Sequence, residues 1–386
     1  MPTDAPSRLG LRAATMWLLL FALSPFAAAV IRLVSPLQLV AIVAVVILAM
    51  LIPAAQRAVA GFFSDKLGQA PSPWIPLLLG AAVVPFVLSA DGYWLFVFSI
   101  AMIFAMMALG LNVQLGEIGV VNLGFAGLFA LAAYVSTLLT LNGVSFWVAM
   151  LIATAVCWAA GALLGLCSHR TSGDYFALVT LGFGLIVHQL LVNLRAVTNG
   201  PDGITAIPPI MVFGHSAKQP LSIGGVTLPP EANGFYLCLL ALAVLVFVAL
   251  RFRYSWIGRI WGAVRQDAIG VSCFGVNVPS FRVTTIAFGS AFAGPAGSLF
   301  AHLIGFISPD DFVLLQSIEV LAIVILGGMG NVGGVLVGSI ILIVTPEKLR
   351  FLGDYRLMIY GAMLVVLLIY RPKGLFPDPR RIFDRA

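Results

Sequence analysis

The sequence predicts an all-α integral membrane protein, a polytopic helical bundle of about ten to twelve membrane-crossing helices. Three observations lead there. Of 386 residues, 61% are hydrophobic and only 9% are charged, and the mean hydropathy is +1.07. Soluble domains carry about 25% charged residues and cannot hide this much apolar surface. The apolar runs are long and unbroken, which suits helices rather than barrel strands, because unpaired backbone groups are costly in lipid. Finally, the basic residues gather on alternate connections.

The first apolar run, 14–34, follows Arg8 and Arg12. Its length fits a spanning anchor, although the alanines at 27–29 also allow a signal-peptide reading. A second run covers 37–55. The polar segment 56–73 then closes an N-terminal two-helix annex, 1–73, with its cytoplasmic linker. The core, 74–377, opens with a marginal run at 74–89, then runs at 93–111, 118–141, 146–167 and 175–194. An external loop, 196–234, carries the turn sequence NGPDG. Loops of this length are usually functional or disordered. A run at 235–250 leads into the polar connection 251–282, and further runs follow at 283–305, 312–326, 333–344 and 355–370. The third of these is short enough to be re-entrant. Residues 378–386 form a cytoplasmic tail.

Alternating these runs from a cytoplasmic N-terminus places 15 of the 21 basic residues inside. The exceptions are Arg32, Arg195, Lys218, Lys348, Arg350 and Arg356. The bias puts both termini and the 251–282 connection in the cytoplasm, and the NGPDG loop outside.

Within that connection, 258–282 is a basic island. A helix over 259–269 puts Ile260, Val264 and Ala268 on one face, while Arg259, Arg265, Gln266 and Asp267 fall mostly elsewhere. Gly258 and Gly270 read as its start and stop. Such a helix either rests on lipid headgroups or docks into a groove of a soluble partner.

Around 112–134, four glycines sit with Asn112, Gln114, Glu117 and Asn122 near the entrance of a run. The pattern suits a broken helix lining a pathway as well as close helix packing. Asn112, Glu117 and Asn122 are candidate pathway or gating residues. Glu319 and His188 join them because an ionisable group at the bilayer centre costs about 3 kcal/mol and needs a reason. Glu319 also lies close enough to the outer end to reach water, and His188 also suits a hydrogen bond within the bundle.

Other chemistry is not indicated. The stretch 328–333 spells G-x-G-x-x-G, but both flanks read as membrane segments, so a tight turn replaces the dinucleotide reading. There is no P-loop, no HExxH and no G-x-S-x-G. Cys157, Cys167, Cys238 and Cys273 show no CxxC spacing. Neither a metal nor a cofactor is expected. No basic cluster with interleaved aromatics points to nucleic acid.

Four blocks carry a family resemblance. They are GLNVQLGEIGVVNLGFAGLFALAAY at 110–134; GDYFALVTLGFGLIV at 173–187 with TNGPDGITAIP at 198–208; the island with AFGSAFAGPAGSLFAHLIGFISPDDF at 287–312; and VLAIVILGGMGNVGG at 320–334 with IYRPKGLFP at 369–377. Together they resemble the branched-chain amino-acid permease family of ABC importers, in its LivM-type subunits.

The resemblance implies an ATP-driven importer of branched-chain or related amino acids. It implies ABC ATPase partners, a second LivH-type permease and a periplasmic or lipid-anchored binding protein, in a bacterial inner membrane. The permease would not itself be an enzyme. The island would be the coupling helix: Ile260, Trp261 and Val264 would insert into the ATPase, Arg265 and Asp267 would pair at the rim, and Arg259 would belong to the same coupling surface. Asn199, Gly200, Pro201 and Asp202 would face the binding protein. Leu185 and His188 stand where the family often has an acid and an arginine, and the island is less acidic than usual around Asp267. A urea or short-chain amide importer is the neighbouring alternative. A stand-alone secondary carrier or channel is the alternative from another class.

Overall fold

The computed structural model describes residues 80–353 with short gaps at 89–91, 169–173, 213–214 and 224–225. It also describes isolated positions elsewhere, including 374–376. The annex runs at 14–34 and 37–55, part of 74–89, most of 355–370, and the tail lie outside the described residues.

Eleven helices of six residues or more organise the described residues. They are α1 (Gly92–Ile118), α2 (Phe125–Leu141), α3 (Phe146–Cys167), α4 (Asp174–Asn193), α5 (Glu231–Arg253), α6 (Trp256–Gln266), α7 (Ala268–Cys273), α8 (Val278–Ala291), α9 (Ala293–Ile304), α10 (Leu314–Gly327) and α11 (Val332–Lys348). Five apolar stretches are long enough to cross a membrane: α1, α3, α5, residues Tyr175–Asn193 of α4, and α8 with α9 together. With the shorter α2, α10 and α11, the chain is a multi-pass helical membrane protein. The only sheet structure among the described residues is two short antiparallel ribbons, β1 (Met211–Val212) with β2 (His215–Ser216) and β3 (Leu221–Ile223) with β4 (Val226–Leu228). Both lie in the loop between α4 and α5.

α1 is the hub. It packs against α5, α8, α9, α10 and α11. It is apolar on all sides and buried along most of its length, as expected of a helix with no solvent face. Its crossing with α8 depends on two facing glycines. A Cβ on Gly289 would sit 2.5 Å from the Gly110 carbonyl oxygen and 2.8 Å from Gln114 Cγ. Gly289→Ala is therefore expected to destabilise the fold by about 1–3 kcal/mol through overpacking. Thermal unfolding in detergent would read this.

Several expected boundaries move. The run at 118–141 is divided: α1 continues to Ile118, and α2 begins only at Phe125. Asn122 holds the break. Its Nδ2 donates to Gln114 Oε1 at 3.0 Å, and its Oδ1 accepts from the Gly124 N–H at 2.9 Å. The run at 283–305 begins earlier, where Asn277 caps α8 by accepting from the Ser280 N–H, and it divides at Phe292. The short run at 333–344 extends over 17 residues as α11. At about 25 Å, that is too long for a brief re-entrant hairpin.

The G-x-G-x-x-G stretch is a helix-to-helix turn. Gly328 and Gly330 have φ of 111° and 87°, a region that favours glycine. Asn331 caps α11 by accepting from the Gly333 and Gly334 N–H groups. The C-terminal segment clasps this turn: the Leu375 and Phe376 N–H groups donate to the Leu326 and Gly327 carbonyls, and Asn331 Nδ2 donates to the Phe376 carbonyl at 3.1 Å.

The two ends of α1 separate the two ends of the bundle. Near Gly92, Lys348 lies 4.4 Å from the Trp94 ring centre. Tyr93 hydrogen-bonds Glu347, and Arg350 lies 3.3 Å from Glu347. The island packs at the opposite end, near Ile118. Lys348 and Arg350, two exceptions to the basic bias, thus sit at the far end from the island, beside an acid and aromatic rings.

Candidate functional site

The island is two short helices. Ser255 caps α6, its Oγ accepting from the Gly258 N–H. Helix formation therefore starts before Gly258, at Trp256, and runs to Gln266 rather than to Ile269. Asp267 is extended and caps α7 by accepting from the Ile269 and Gly270 N–H groups at 3.0 and 2.9 Å. Gly258 and Gly270 therefore lie inside helices. The expected face of Ile260, Val264 and Ala268 gives way to Gly258, Trp261 and Val264 as the buried face of α6.

That face turns inward. Trp261 and Val264 are 2% and 3% exposed. The indole stacks on Phe252 of α5, with centroids 6.5 Å apart, and packs against Phe288 of α8 at 6.0 Å. This corrects the expected insertion of Trp261 and Val264 into a partner: the permease's own core claims both. Ile260 is half-buried and Arg259 exposed. Arg265 is not a free rim charge either. Its Nη1 donates to the Leu115 carbonyl at 2.7 Å and to the Gly116 carbonyl. These belong to the last turn of α1, whose carbonyls lack helical partners. Asp267 is exposed and occupied as a cap.

What the island presents outward is Ile269, 79% exposed, and Phe274, 89% exposed. They are the two most exposed large hydrophobic residues among those described. Spacing missed them because the Asp267 break re-aims the chain. Asp267 three residues before Gly270, in the manner of an N-cap, was the available signal.

Beside the island lies a narrow cleft lined by Leu109, Asn112, Val113, Glu117, Ala249, Arg253, Trp261 and Val332. Glu117 and Arg253 face each other at 3.8 Å, their side chains 12% and 11% exposed. Arg253 escaped the sequence reading because it looks like any basic residue flanking a span. Asn112 is buried, its Oδ1 accepting from the Gly330 N–H at 2.7 Å. Asn122 is the loop staple already described. These three candidates thus share one region around the α1 terminus, two of them as packing hydrogen bonds. Gln114 joins them, donating to the Ile286 carbonyl at 3.0 Å and to Ser290 Oγ at 3.1 Å.

The other two candidates lie away from the cleft. His188 Nε2 is 3.8 Å from Asp310 and has no hydrogen-bond partner among the described residues. The histidine that does hydrogen-bond within the bundle is His302, between the Ser298 carbonyl and Thr140 Oγ1. Glu319 is half-buried on α10. The structure does not bring His188 and Glu319 to the cleft.

In the NGPDG loop, Asn199 has φ 61° and its Nδ2 donates to the Gly203 carbonyl at 2.8 Å. Gly200 is buried, while Pro201 and Asp202 are exposed. Paired hydrogen bonds between Ile204 and Ile307 fix the loop beside the 308–312 turn. Asn199, Pro201 and Asp202 of the four present themselves outward.

Arg265→Ala is expected to destabilise the docked island by about 1.5–3 kcal/mol, the range for hydrogen bonds to a charged group. Limited proteolysis within 256–274 measures this; digestion at the wild-type rate contradicts it.

A profile of the branched-chain amino acid transport system / permease component family matches residues 93–368. The high-affinity branched-chain amino acid transport system permease protein LivM of Salmonella typhimurium strain LT2 is 38% identical over 317 residues, 79% of this chain and 74% of its own. LivM of Escherichia coli K12 is 38% identical over 319 residues, 79% and 75% of the two chains. The corresponding LivH of E. coli K12 is 25% identical over 295 residues, 72% of this chain and 92% of its own. No solved structure matches. The chain belongs to the branched-chain amino acid transport system permease family.

Proposed function

We propose that this chain is the LivM-type membrane subunit of an ATP-driven importer of branched-chain or related amino acids, in a bacterial inner membrane with both termini cytoplasmic. Its partners are a separate ABC ATPase, a second LivH-type permease and a substrate-binding protein. The observation that carries this reading is the island. Two large apolar side chains, Ile269 and Phe274, project from a polar connection, where a lone membrane protein gains nothing by exposing them.

The same island is attached to α1 through Arg265, and to α5 and α8 through Trp261. A push on α7 by the ATPase therefore reaches three legs of the bundle as rigid-body motion. The Glu117–Arg253 pair lies beside that route and is the group placed to part when the inner end opens. At the other end, Asn199, Pro201 and Asp202 meet the binding protein.

Affinity purification of the tagged chain in mild detergent tests the assembly. Recovery of a P-loop ATPase and a second permease is the expected result. Recovery of the chain alone, from cells that contain those subunits, contradicts it.

A further inference from the structure

The outward faces of the legs are not alike. Those of α3 and α5 present only apolar groups in their middle sections, such as Trp158 and Leu163, and Val244 and Phe247, all more than half exposed. Such faces suit lipid. α4 and α10, which pack against one another, share a different face. On α10, Glu319 is half-buried between the exposed Leu315 and Ile318. On α4, Gln189 and Asn193 are exposed one turn apart, beside Ile186. Near the middle of α4, nothing lies within 4 Å of where a Cβ on Gly182 would stand.

A carboxylate half-buried at the edge of an apolar leg's outward face is unfavourable against lipid and calls for a donor opposite. An open glycine at mid-height lets another helix backbone approach closely. We propose that the shared α4–α10 face is where the second permease docks, with a donor or cation of that subunit against Glu319. This rests on the importer reading above. The occupant is a second permease because the face needs a helix at membrane depth. This chain also matches relatives of two permease kinds over most of its length, so a partner of like fold carries legs at like heights.

The test uses the full complex, expressed with all its subunits in membranes. A photo-crosslinking amino acid is placed at Ile186, Leu315, Leu163, Phe247 or Ile269. The expected result is a crosslink to the second permease from Ile186 and Leu315, and none from Leu163 or Phe247. Crosslinks from Ile186 and Leu315 only to lipid, or to another segment of this chain, overturn the proposal. The probe at Ile269 separates the two levels. If it reaches the ATPase while Ile186 and Leu315 miss the second permease, the docking face is wrong and the importer reading stands. If all three fail, the importer reading falls and takes the docking face with it. Independently, Glu319→Leu is expected to lower the second permease retained in mild detergent about tenfold, while Glu319→Gln, still able to hydrogen-bond, retains it. Wild-type retention by Glu319→Leu contradicts a role for the carboxylate at that interface.

Discussion

Trp261→Ala is expected to destabilise the protein by about 3–5 kcal/mol, the range for truncating a large buried aromatic. The indole packs against the touching pair Phe252 and Phe288, and its loss detaches the island from α5 and α8. Phe274→Asp, thirteen residues on and exposed, is expected to change stability by no more than about 0.5 kcal/mol. Its effect falls on the partner: with Ile269→Asp, it should weaken ATPase association roughly thirtyfold, as loss of an interface anchor does. Unfolding in detergent separates the first effect, and ATPase retention the second. If Trp261→Ala folds normally and loses only the ATPase, the inward orientation of α6 is wrong.

Glu117→Ala should cost about 3 kcal/mol. It leaves the Arg253 guanidinium facing the cleft without the carboxylate that lies 3.8 Å away. Removing one member of a largely buried pair is worse than removing both, so Glu117→Ala with Arg253→Ala should be less damaging than the two single losses added together. The double-mutant cycle should give a coupling above about 0.5 kcal/mol. Additive losses would mean that the two side chains are neighbours without being partners.

Much of this was legible in the sequence, because membrane architecture is written in composition and run length. The polar island, the NGPDG turn and the glycine-rich turn at 328–333 all stand where apolar runs stop. Orientation was less legible. Trp261 and Val264 share an apolar face that suits a partner's groove as well as the chain's own core. Only the third dimension, with Phe252 and Phe288 waiting, decides between them. Ile269 and Phe274 were missed for the converse reason: the break at Asp267 is a capping event, and periodicity averages across it. The break between α1 and α2 was open in the sequence as a broken helix, but its position escaped similarly, because Asn122 and Thr180 hold it by hydrogen bonds to a loop whose composition is as apolar as a helix. Thr180 Oγ1 accepts from the Leu123 N–H at 3.0 Å, a contact 57 residues away in sequence that no local pattern contains.

The central claim is that this chain moves amino acids only as part of an ATP-driven assembly. Leucine uptake into proteoliposomes tests it most directly, comparing the purified complex and the chain alone, each with and without ATP on the ATPase side. The account predicts uptake by the complex with ATP and binding protein, and none by the isolated chain. Uptake by the chain alone without ATP would contradict it and make the protein a stand-alone carrier.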